Sequence, residues 1–81
     1  MDQATTDEAV LGHIQRLVTE EERILSDGVR SDADRDRLKS LGVALDQAWD
    51  LLRQRRALRE FGRDPAEAHV RRAEVVEKYL G

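Results

Sequence analysis

The sequence predicts an all-α protein: an antiparallel helical hairpin with a short C-terminal helix or turn segment, expected to dimerise into a helical bundle. Three observations predict it. Of 81 residues, 40% are hydrophobic and 38% charged, and Trp49, Phe61 and Tyr79 are the only aromatics. Helical hairpins and coiled coils share that mixture, rich in Leu, Ala, Glu and Arg. Two long stretches repeat apolar residues at alternating spacings of three and four, the period of a helix face. Each stretch is also bracketed by helix start and stop signals. One small helical domain over residues 1–81 is therefore expected, with helices over 5–26 and 31–61 and a C-terminal segment over 64–80.

The first helix is expected to begin at Thr5, because Thr5-Thr6-Asp7-Glu8 matches a capping box just before an apolar run. Val10, Ile14, Leu17, Glu21 and Ile24 then mark one face, and Leu11, Val18 and Leu25 widen it. Ser26-Asp27-Gly28 is the stop, with Gly28 free to take the left-handed C-terminal conformation.

Ser31-Asp32-Ala33-Asp34 starts the second helix, with a serine cap and acids in the positively polarised first turn. Its seam is Leu38, Leu41, Leu45, Ala48 and Leu52, with Trp49 at the edge, and Gly62 ends it. The short connection makes the two helices antiparallel neighbours. Asp64-Pro65-Ala66-Glu67 restarts structure, with Asp as cap, Pro at the first helical position and Glu closing the box. Val75, Val76, Tyr79 and Leu80 form a last apolar cluster expected to fold back on the hairpin. Gly12 and Gly42 lie inside helical pattern at about 1 kcal/mol each relative to Ala.

Residues 51–62, LLRQRRALREFG, pose the chain's sharpest question. Leu41, Leu45, Ala48 and Leu52 share one face of the second helix, and Arg55, Arg56, Arg59 and Arg63 continue it. A leucine seam becomes an arginine seam within one turn. Charge follows the same division: residues 1–50 balance to −6 and residues 51–72 to +4. Helices of about 21 and 31 residues would differ by roughly 15 Å at 1.5 Å per residue. Arg55 onward is thus expected to project past the end of its own hairpin.

Three fates are open to that overhang. It can be a solvated helix end whose arginine stems shield the last apolar groups. It can dock on acids of another copy, such as Glu20, Glu21 and Glu22. Glu21 is the case that most needs a guanidinium, since it occupies a core-facing position. It can also grip phosphate, although the chain as a whole carries a net charge of −3, which argues against nucleic acid as partner.

Catalysis has no support in the sequence. His13 and His69 are the only histidines and fit neither Glu-x-x-His nor His-x-x-x-His spacing. There is no cysteine, hence no thiolate metal site, and no phosphate-cradling glycine loop or cofactor motif. The acidic start, MDQATTDEAV, does not resemble a secretory signal, and no apolar run approaches membrane-spanning length, so a cytoplasmic location is expected. A hairpin this small has a limited core, and self-association is the common remedy.

The expectation is a non-enzymatic interaction or structural module that forms a homodimer or meets another protein. Its surface is predicted at Leu38, Leu41, Leu45, Trp49 and Leu52, with Arg55, Arg56, Arg59, Arg63 and Glu21 as the electrostatic part. The alternative is nucleic-acid or small-anion binding at the arginine-rich end.

LDQAWDLLRQRRALREFGRDP, residues 45–65, together with Val70-Arg71 and VVEKYL at 75–80, resembles the small actinobacterial domain-of-unknown-function family 2630. The resemblance is strong over the last half and looser over the first arm. It implies an all-helical fold and supplies no activity. Members are expected to carry Cys where this chain has Ala48 and Pro where it has Arg72.

Overall fold

The computed structural model describes residues 6–80, with side chains described through residue 77. Helix α1 spans Asp7–Asp27, α2 spans Asp32–Glu60, a single 3-10 turn spans Pro65–Glu67, and α3 spans Ala73–Leu80. This is the all-α hairpin with a short C-terminal segment that the periodicity predicts.

Local chemistry explains the boundaries. Thr6 caps α1, its hydroxyl accepting from the Ala9 amide at 3.0 Å. The helix therefore starts one residue later than the capping-box pattern suggests, and Thr5 lies outside the described residues. Ser31 caps α2 through the Asp34 amide at 3.1 Å. Gly28 has φ 84°, in the left-handed region where a Cβ would be strained, and its amide donates to the Leu25 carbonyl. Gly62 has φ 72° just beyond α2.

Asp64 caps the 3-10 turn by accepting from the Ala66 amide at 2.9 Å. Glu67 does not close a capping box there. Its carboxylate turns to Arg63 at 2.6 Å instead, because a guanidinium offers a stronger, charge-assisted bond than a backbone amide.

At 29 residues and about 1.5 Å each, α2 runs nearly the whole 47 Å length of the molecule. Both other helices pack on it. The core between α1 and α2 is Val10, Ile14, Ala48 and Leu52, with Val18, Leu45 and Leu51 against it. The C-terminal segment returns along a different face of α2, and among the described residues α1 and α3 do not touch through their backbones. Val76 is fully buried there, as is Leu41 of α2, and Val75 is half-buried. Tyr79 and Leu80, expected in that apolar cluster, have side chains outside the description.

Residue 72, where a proline is expected in relatives, stands just ahead of α3, and its carbonyl accepts from Val75 and Val76. Neither Gly12 nor Gly42 marks a close helix approach. A Cβ at Gly12 would meet only the tip of Arg16 at 3.7 Å, and one at Gly42 would meet open space.

Candidate functional site: the closed cationic end and the open apolar flank

The arginine stripe does not wait for an outside partner. Arg55 is buried, and its Nε donates to Asp7 Oδ1 at 2.8 Å while Nη1 reaches the Pro65 carbonyl at 3.3 Å. Arg59 donates to Asp7 Oδ2 from Nη1 at 3.0 Å and from Nη2 at 2.6 Å. Arg63 pairs with Glu67. Arg56 alone of the four predicted arginines is exposed with no ion-pair partner among the described residues.

The expectation that Arg55 onward overhangs its hairpin is therefore corrected. Leu41 opposite Leu17 would place Arg55 beyond the start of α1. At the open end, however, Asp7 lies opposite Arg55, about one helical turn further along than that register allows. The first turn of α1 thus supplies the counter-charge, and the 3-10 turn closes over it from the far side. Asp7 sits where the helix dipole already favours a negative charge. Hydrogen bonds from Arg55 and then Arg59 hold its carboxyl below the ordinary value of 3.8.

The acid that meets a guanidinium on the other arm is Glu20, and the arginine comes from the same chain. Arg37 donates to it through Nε at 2.7 Å and Nη2 at 2.8 Å, a two-pronged pair that lowers the Glu20 pKa. Glu21, the predicted acceptor, is half-buried and has no ion pair among the described residues. Position 21 faces the seam, but position 20 lies on the flank where Arg37 can lie alongside. His13 and His69 are both exposed.

A second polar cluster was not foreseen. Asp50, on α2, is buried at 3% exposure. It accepts from Arg71 Nε at 2.9 Å in a two-pronged ion pair, and from Gln54 Nε2 at 2.9 Å. The Arg71 bond is the main cause of the depressed Asp50 pKa; burial opposes it, and Gln54 adds to the lowering. Gln54 also bonds the His69 backbone on both sides, donating to its carbonyl at 2.8 Å and accepting from its amide at 3.5 Å. Gln47 donates to the Arg71 carbonyl at 3.0 Å. Polar side chains of α2 thus strap residues 69–71 down.

The strap covers one flank of the hairpin and leaves the other open. Counting about 100° per residue from Ala48, Gln47, Asp50 and Gln54 fall on the decreasing-angle side of α2, whereas Leu38, Leu45 and Trp49 fall about 60–100° the other way. In an antiparallel pair, increasing angle on both helices leads to the same side of the seam. Counted from Ile14, Leu11, Val18 and Leu25 sit about 20–60° toward that side. There Leu11 is 43%, Leu25 57% and Trp49 41% exposed. Leu38, Val18 and Leu45 are half-buried.

Of the predicted surface, then, Leu38, Leu45 and Trp49 border the open flank, whereas Leu41 and Leu52 are fully buried within the chain. No cluster of three His, Cys, Asp or Glu side chains suited to a metal ion occurs among the described residues. No helix there is long and apolar enough to cross a membrane.

A two-helix hairpin with a tail strapped to one flank and apolar side chains along the other defines a small all-α helical module. The chain belongs to the family described as Protein of unknown function (DUF2630), whose model matches residues 6–81. It is similar to Uncharacterized protein Mb0922c of Mycobacterium bovis and Uncharacterized protein Rv0898c of Mycobacterium tuberculosis. Each is 46% identical over 80 residues, covering 94% of this chain and 92% of the relative. No solved structure matches the chain.

Proposed function

We propose that the protein is a non-enzymatic interaction module that self-associates through its open flank. The supporting observation is that the indole of Trp49 and the side chain of Leu11 are both about two-fifths exposed, on the one side of the α1–α2 seam that the C-terminal strap leaves uncovered. Large apolar side chains gathered on one face, with charges along its edges, have the character of a protein-interaction surface. Tryptophan is also among the residues that contribute most to such interfaces.

The arginine-rich end draws less support as an anion site. Arg55 and Arg59 both point at Asp7, and Arg63 at Glu67, so a phosphate would compete with carboxylates already in place.

Light scattering on the purified chain at micromolar concentration tests the proposal. A mass near twice 9.3 kDa is expected. A constant 9.3 kDa across the accessible concentration range would remove it. Trp49→Glu, which sets a carboxylate on the flank without touching the buried core, should return the dimer to single chains.

A further inference from the structure

The edges of the open flank carry opposite charge. Along the α1 edge stand Glu8 and Glu22, both exposed, and no lysine or arginine of α1 lies on that side. Along the α2 edge stand Arg35, Arg53 and Arg56, all three exposed, with Glu60 at the end of the helix and the half-buried Asp46 about 20° further from the seam. Arg35 also bonds Asp32 of its own chain at 3.0 Å.

Their heights match across the hairpin. The pairs Asp7–Arg55 and Glu20–Arg37 fix the register, so Glu8 lies level with Arg53 and Arg56, and Glu22 lies level with Arg35. By the same register Trp49 lies within about one turn of the height of Leu11.

We infer that the occupant of this flank is a second copy, related by a two-fold axis parallel to the helices, with α1 of each copy lying over α2 of the other. The axis leaves heights unchanged and exchanges the edges. Glu8 of one copy therefore meets Arg53 and Arg56 of the other, Glu22 meets Arg35, and each Trp49 covers the opposite Leu11. The four helices form a bundle in which every neighbour is antiparallel, the arrangement of up-down bundles.

The other two-fold that joins flank to flank runs across the helices. It stacks α1 on α1 and α2 on α2, setting acidic edge on acidic edge and basic edge on basic edge. Like charges facing each other at an interface are costly, so edge charge selects between two otherwise similar apolar contacts. Arg56 gains a role by the same step: within the chain it has no carboxylate among the described residues, and in the pair it has Glu8.

This inference rests on self-association through the open flank and adds its geometry, so its test separates the two. The chain has no native cysteine, which permits single labels. Copies carrying Glu8→Cys are mixed with copies carrying Arg56→Cys and treated with a short bifunctional maleimide. A parallel mixture uses Glu8→Cys with Glu22→Cys, and mass is read by light scattering on the same samples.

A doubled mass with strong cross-linking in the 8/56 mixture and little in the 8/22 mixture is expected. A doubled mass with the opposite pattern, or with no cross-link in either, overturns the geometry and leaves self-association standing. A single-chain mass in every sample overturns both. As a second measurement, Glu8→Arg should weaken the dimer at least tenfold, and combining it with Arg53→Glu and Arg56→Glu should recover most of the loss. Failure of the triple variant to recover counts against the arrangement.

Discussion

Asp50 carries more of the fold than its neighbours in sequence suggest. It is a carboxylate buried on α2 between Leu51 and Trp49, and it survives there because Arg71 and Gln54 together satisfy both oxygens. Removing one partner leaves the other short of hydrogen bonds in a shielded place, which is where such losses are largest. Asp50→Ala should cost about 1–3 kcal/mol by urea unfolding. Arg71→Ala should cost at least as much, since it strands a carboxylate that is 4% exposed, whereas the Arg71 side chain left by Asp50→Ala is 31% exposed and can turn to water. Equal stability of Asp50→Ala and the parent would contradict this role.

The glycines make a prediction of opposite sign. Gly12 has helical backbone and room for a methyl group, so Gly12→Ala should stabilise by about 1 kcal/mol, a rise in Tm of about 4–8 °C for a domain this size. A fall in Tm would mean that something approaches position 12.

At the scale of elements, two acids act as fasteners. Asp7 ties the start of α1 to the end of α2, and Asp50 ties the strap to the middle of α2. Arginine hydrogen bonds hold both carboxyls below 3.8 in the folded chain. A group whose pKa is lower folded than unfolded adds stability at pH values above its unfolded pKa, and that contribution disappears as acid protonates the folded form.

The urea midpoint should therefore stay level from neutral pH to about pH 5 and drop below about pH 4. The Asp7→Asn, Asp50→Asn double variant should start lower at pH 7 and fall less steeply. An acid limb as steep as the parent's would show that other groups carry it.

The helix periods, the Ser31 cap and the restart at Asp64-Pro65 were legible because each depends on residues within a turn of one another, whereas the first cap falls on Thr6, one residue past the Thr5 that the capping-box pattern picks. The strap was not. Asp50 and Gln54 stand four apart on a flank that looks solvated until residues 69–71 return to it; the apolar cluster at 75–80 announces a fold-back, but nothing local says which polar side chains of α2 receive it. The closure at Asp7 was missed for a related reason: facing heights in a hairpin depend on how the connection turns, and a slip of about one turn decides whether Arg55 meets a carboxylate or water.

For the whole molecule, what matters is which side of the hairpin remains unfilled. The strap supplies a third layer on one flank, and the proposed second copy supplies it on the other, so that Leu11, Val18, Leu38, Leu45 and Trp49 leave water together. The lone tryptophan lies on that flank, which makes its environment a direct reporter. Emission from Trp49 should move to shorter wavelength as concentration rises, with the same midpoint as the doubling of mass from 9.3 kDa. If the mass doubles and the emission does not move, the copies meet elsewhere. If neither changes, the flank stays open in solution and the chain works alone.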